Sequence, residues 1–157
     1  MSETPRIAPG MLAIGVGCRS GVDAETIVAL VRRALDRAAS LIPEKVPPRG
    51  LRAAMFTAVE KQSEAGLREA ATLLAMPLVF LPKPALAAFS DAAETRSERV
   101  VQLFGVPSLA ETAALAGAGA GAHLLVARIA ADGVTCAIAT QAPRPIPSTG
   151  ASPGAPQ

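Results

Sequence analysis

The sequence predicts an α/β fold: one domain with a mixed, mostly parallel sheet flanked by helices and closed by a C-terminal antiparallel hairpin. Three observations carry this. Short apolar runs of Val, Ile, Leu and Ala alternate with stretches of helical period, the order that gives parallel strands and right-handed crossovers. The last two apolar runs are joined by Ala131-Asp132-Gly133, and Asp-Gly favours the positive φ of a tight hairpin. The chain, at 157 residues, has the size of one domain.

Residues 1–10 carry two prolines and no periodicity, and read as a flexible N-terminal arm ahead of a domain at 11–140. Met11 to Gly17 is a short buried strand with a glycine end. Asp23 is placed to cap a helix, with Glu25 in the first turn where the helix dipole favours an acid. Ile27, Leu30, Val31, Ala34, Leu35, Ala38 and Leu41 recur at helical spacing, and Arg32, Arg33, Asp36 and Arg37 take the other face. Pro43, Pro47, Pro48 and Gly50 end that helix in a loop.

Leu51 to Thr57 reads as a second strand, Ala65 to Leu74 as a second helix and Leu78 to Leu81 as a third strand. Pro82 and Pro84 stop the third strand, and Pro84 suits the opening of a short helical turn. Residues 90–99 are polar and suit an exposed loop or lid, running into a short helix at Val100 to Phe104. Ser108-Leu109-Ala110-Glu111 matches a Ser-x-x-Glu capping box ahead of an apolar helix that runs to about Ala116 and dissolves into the glycines at 117–121. His123 to Ala130 and Val134 to Thr140 are the strands of the hairpin. Residues 141–157 are rich in Pro, Gly and Ser and are expected to be a disordered tail.

Composition excludes several function classes. The charge is +2, from 15 basic and 13 acidic residues, and the aromatic set is four Phe without Trp or Tyr. A nucleic-acid binder concentrates basic charge and stacks bases on aromatic rings, so no nucleic-acid partner is expected. Two cysteines, Cys18 and Cys136, are no disulfide framework and fit a reducing compartment. The chain shows no leader pattern and no apolar run near the ~20 residues of a membrane helix, so a cytoplasmic protein with no membrane partner is expected.

Ligands of such sheets bind beyond the carboxyl ends of the strands. Residues 17–22, 57–66 and 82–85 meet there. In Gly15-Val16-Gly17-Cys18-Arg19-Ser20-Gly21, glycines let the backbone approach a ligand, the following helix offers N–H groups to an anion, and Arg19 adds a forked donor. The spacing is one residue longer than the dinucleotide fingerprint, and no acid ends the second strand, which argues against a dinucleotide cofactor. The competing reading is a plain strand-to-helix turn.

Cys18 lies near a helix start and beside Arg19, both of which lower a thiol pKa. A nucleophile also needs a base, and the one histidine, His123, is far along the chain, so a small packed side chain is the competing reading. Cys136, in an apolar strand, reads as core. Thr57, Lys61, Glu64 and Gly66 form the second cluster. A helical turn brings Lys61 and Glu64 together, either at the mouth of a cleft or on a solvated loop. Capping chemistry accounts for Ser108 and Glu111. With one histidine and no paired cysteines, no metal and no cofactor is expected.

Taken in order, these segments resemble the CobE family, which is similar to the C-terminal domain of CbiG, the cobalt-precorrin-5A hydrolase of cobalamin biosynthesis. The matching residues are Gly15-x-Gly17-Cys18-Arg19-x-Gly21, then Thr57 with Lys61, Glu64, Gly66 and Leu67, then Ser97-Glu98-x-Val100. Gly105-Val106-x-Ser108-x-Ala110-Glu111 with Ala113, Ala114 and Leu115 follows, and Val134-Thr135-x-Ala137-Ile138-Ala139 is the last. They span about residues 11–140. Val59 stands where the family pattern leads us to expect an acid, so no carboxylate role is carried over there.

The resemblance implies a part in building the corrin ring of vitamin B12, in the aerobic pathway. The hydrolase's lactone opening is not carried over, because that protein's N-terminal part has no counterpart here. Precorrins are macrocycles edged with carboxylates, and a site for one needs an apolar floor and several anion donors. Gly15, Gly17, Cys18, Arg19, Gly21, Thr57, Lys61, Glu64 and Gly66 are the expected binding residues. Three functions stay open: a protein that binds a precorrin or related tetrapyrrole intermediate and presents or sequesters it for another cobalamin-pathway enzyme, an enzyme acting on that intermediate (a hydrolase or ring-modifying enzyme) with Cys18, Lys61 or Glu64 in acid–base roles, and a structural partner of a pathway enzyme that binds no tetrapyrrole. The lack of a nucleophile–base pair favours the first.

Overall fold

Residues 11–41 and 52–141 are described by the computed structural model. Strands β1 (Met11–Cys18), β2 (Arg52–Ala58), β3 (Leu78–Leu81), β4 (His123–Ala131) and β5 (Val134–Thr140) form one sheet in the order β3-β2-β1-β5-β4. Strands β1, β2 and β3 are mutually parallel, while β5 runs antiparallel to both β1 and β4. The mixed α/β architecture and the C-terminal hairpin are therefore as expected, although only two of the four pairings are parallel. The expected arm at 1–10, the loop at 43–50 and the tail beyond 141 lie outside the described residues.

The period of two along β1 explains the layering. Leu12, Ile14 and Val16 point to one face, where they pack with Ile27, Leu30 and Val31 of α1 (Ala24–Leu41) and with Leu67 and Ala70 of α2 (Ala65–Leu74). Ile14, Ile27 and Leu67 are fully buried, and each such side chain contributes roughly 1.5–3 kcal/mol. Ala13 and Gly15 point to the other face, beneath α5 (Leu109–Ala118).

Small residues meet small residues there. Ala137 and Ala139 of β5 lie against Ala110 and Ala114 of α5. The helix sits so low on the sheet that a Cβ at Gly15 would stand 1.9 Å from the Ala110 carbonyl oxygen. The short α3 (Lys83–Ala87) and α4 (Glu98–Phe104) complete this layer.

Local chemistry explains most boundaries. Asp23 accepts from the Thr26 N–H at 2.8 Å, as an N-cap does, and hydrogen bonds from the Thr26 side chain and then from its N–H lower the pKa of its carboxyl. Asp132 and Gly133 take φ of 54° and 85°, the two-residue hairpin turn expected of Asp-Gly. Two expectations are corrected. Helix α5 continues through Gly117 to Ala118, because Gly117 packs on the Phe56 ring, where a Cβ would lie 2.5 Å away. The capping box is half formed: Ser108 accepts from the Glu111 N–H at 3.2 Å, but the Glu111 carboxylate is turned into the interior.

Candidate functional site

The carboxyl ends of β1, β2 and β3 and the turn between β4 and β5 all lie at one end of the sheet, since Cys18 is paired with Val134. A cleft of about 560 Å³ opens there, within the ~300–1,000 Å³ usual for ligand sites. Arg19, Lys61, Arg99 and Arg128 line it against one acid, Asp132. Val100, Leu103, Phe104, Leu109 and Ala130 supply apolar surface. Leu103 stays 58% exposed at this wall.

Each cation is brought in by a different element. Arg19 follows β1; its N–H donates to the Gly133 carbonyl at 2.9 Å and its stem lies over Gly133. A 3-10 turn at Val59–Lys61 ends β2 and folds Lys61 back, so that Nζ donates to the Cys18 carbonyl at 2.6 Å and stands 5.8 Å from the centre of the Phe104 ring. An ammonium has three donors, and this bond uses one. Arg99 lies in the first turn of α4, which Ser97 caps by accepting from Val100 N–H. Arg128 sits in β4 where the register with β5 shifts between Val126 and Ile129; such bulges re-aim side chains.

The nine residues expected at the site fall into two groups. Gly17, Cys18, Arg19 and Lys61 line the cleft. Gly15 lies under α5, and Gly66 packs against the Val22 carbonyl, with a Cβ position 2.2 Å from it. Thr57 is buried and donates to the Val16 carbonyl at 2.7 Å, tying β2 to β1. Glu64 accepts from Gly21 N–H at 3.0 Å; this bond, helped by Ser20 and by the charge of Lys61, lowers its carboxyl pKa.

These bonds change the reading of the glycine loop. The N–H groups of Arg19, Gly21 and Val22 are taken by Gly133, Glu64 and Arg19 within the chain, and Asp23 occupies the start of α1. These three N–H groups are therefore turned to partners within the chain rather than to the cleft, and the cations lining the cleft are side chains. Sequence reasoning did not find Arg99 and Arg128. Arg99 was hidden in a polar stretch, but Arg128 is the one charged residue in an otherwise apolar strand, a signal that was there to be used.

Neither cysteine is activated. Burial pushes the Cys18 thiol up more than the Lys61 charge pulls it down, contrary to the expectation from its neighbours. Burial alone raises Cys136 to about 12. The folded chain then holds a proton that the unfolded chain has lost above its ordinary value of 9.0. The contribution of this thiol to stability is therefore fully present below pH 9.0 and is lost as pH rises towards about 12. Urea unfolding across this range is expected to show the fall, and Cys136→Ala is expected to make it shallower, with the raised Cys18 thiol carrying part of what is left. An unchanged slope in that variant contradicts the assignment.

Among the described residues, Glu111 is the one charged side chain that is fully buried. Its Oε1 accepts from the N–H groups of Glu94 and Thr95 at 2.8 and 2.7 Å. Its Oε2 accepts from Thr95 Oγ1 at 2.8 Å and Arg128 N–H at 2.9 Å. The polar stretch expected to be a loop or lid is thus pinned to α5. No group of three or more His, Cys, Asp or Glu suited to a metal occurs among the described residues. No single helix among them is long and apolar enough to cross a membrane.

Comparison with known proteins places this architecture. The family described as Cobalamin synthesis G C-terminus matches residues 12–139. Protein CobE of Sinorhizobium sp is 33% identical over 138 residues, covering 88% of this chain and 84% of that protein. The crystal structure of CobE, a protein from the cobalamin (vitamin B12) biosynthetic pathway, aligns with a TM-score of 0.72 at 34% identity, covering 86% of this chain and 93% of that one. The cobalamin biosynthesis protein chiG from Agrobacterium tumefaciens str. C58 aligns with a TM-score of 0.56 at 31% identity, covering 82% and 97%.

Proposed function

Since the chain belongs to the Cobalamin synthesis G C-terminus family, whose relatives named above are cobalamin biosynthesis proteins, we propose that its cleft binds a precorrin or similar carboxylate-rich tetrapyrrole and presents it to another enzyme of the pathway. The observation that carries this is the lining of the cleft, four cations and one acid around an apolar wall. A precorrin has the matching chemistry, an apolar ring with carboxylates at its edge. Arg19, Arg99 and Arg128 offer forked donors that fit carboxylates, and Lys61 offers a point charge. Leu103, Phe104 and Val100 give the ring surface to lie on.

Binding is favoured over catalysis by the state of Cys18. Burial raises the pKa of its thiol by more than the charge of Lys61 beside it lowers it. The work of this protein is then cytoplasmic handling of an intermediate. The test is to mix the protein with a precorrin and follow absorbance. The spectrum is expected to shift on mixing and then stay constant. A spectrum that keeps changing indicates turnover, and no shift with any intermediate overturns the proposal.

A further inference from the structure

We infer that Glu111 is a positioning residue for the ligand cleft, one buried carboxylate that holds the main chain of Arg128 directly and the segment leading into Arg99 through Thr95; this rests on the tetrapyrrole-binding reading above. Glu111 is fully buried and is not among the residues lining the cleft. What it holds is informative. Oε2 takes the main-chain N–H of Arg128, at the irregularity in β4 that aims this side chain. Oε1 and Oε2 together hold Thr95 through both its N–H and its hydroxyl. Two residues on, Ser97 donates its N–H to the Pro107 carbonyl at 2.8 Å and caps α4, whose first turn carries Arg99.

A carboxylate is the group this task needs. Its two oxygens offer about four lone-pair sites, and four donors from two segments fill them. A carboxamide has one acceptor oxygen and turns two N–H donors towards groups that also donate. Helix α5 supplies a stable base, because its other side is packed low on β1 and β5. Rigid roots reduce the ordering cost when both arginines close on one anionic ligand, so the two act as a unit.

The test is a mutant cycle read by uroporphyrin affinity in a fluorescence titration. In the wild-type background, Arg99→Ala and Arg128→Ala are each expected to weaken binding by about tenfold. Glu111→Gln is expected to weaken it similarly, and in that background each arginine deletion is expected to cost twofold or less. A role confined to global stability leaves the arginine effects unchanged in folded Glu111→Gln. Undiminished arginine effects therefore overturn the inference.

If Glu111→Gln does not fold, Thr95→Val carries the same cycle, since it removes one of the four donors and leaves the carboxylate in place. Reduced arginine effects in it support the inference, and undiminished ones overturn it. Wild-type protein that fails to bind uroporphyrin overturns the binding reading and this inference together. Wild-type binding without coupling overturns the inference alone.

Discussion

Gly15→Ala is expected to destabilise the protein by about 3 kcal/mol or more, at the top of the range for overpacked cores. The new methyl group would lie 1.9 Å from the Ala110 carbonyl oxygen and 2.5 Å from the Ala114 nitrogen, both backbone atoms of α5. No rotamer change relieves such a clash; the whole helix must rise from the sheet, and Ala137 and Ala139 lose their packing with it. At this size about 1 kcal/mol corresponds to ~2–4 °C, so thermal unfolding is expected to fall by roughly 10 °C. Gly21→Ala is the control. Nothing lies within 4 Å of a Cβ at Gly21, and its φ of 82° alone costs about 1 kcal/mol. Equal losses in the two variants contradict this account of the α5 layer.

Arg19→Ala combined with Lys61→Met is expected to weaken binding of a carboxylate-rich tetrapyrrole by about a hundredfold while leaving the fold intact. Each charge-assisted bond is worth about 1.5–3 kcal/mol where partly desolvated and less where exposed. Lys61 is half-buried and held by the Cys18 carbonyl and the Phe104 ring, so it carries more than the exposed Arg19. Methionine keeps the apolar stem against Phe104. Affinity and thermal unfolding, measured together, separate lost contacts from lost structure. Unchanged affinity places the ligand elsewhere.

The helices and strands were legible because their signals are local. The bounds of α2 and β3 agree with the expected residues, and Asp-Gly gave the hairpin turn. The glycine loop was legible in position but not in what its glycines do. Glycine spacing says that something comes close, not what: at Gly15 it is α5, at Gly66 the backbone of Val22. The glycine-loop N–H groups looked available until Glu64 and Gly133 arrived from segments far along the chain. Glu111 was read as a cap because its N-terminal spacing is right. Its true partners, Thr95 and Arg128, lie 16 and 17 residues away on either side, beyond any local pattern.

Arg99 and Arg128 show the same limit. Both reach the cleft only through tertiary structure, one from the first turn of α4 and one from a bulge in an edge strand. Their addition to Arg19 and Lys61 is what makes the cleft cationic; the sequence as a whole, at +2, is nearly neutral.

The central claim is that side-chain cations in this cleft recognise the carboxylates of a tetrapyrrole. Isothermal titration of the protein with uroporphyrin and with its methyl ester tests it most directly, because the two ligands share a ring and differ in charge. The free acid is expected to bind, with affinity that weakens as salt rises, and the ester to bind at least a hundredfold more weakly. Equal affinity for acid and ester, or no binding of the acid, contradicts the claim.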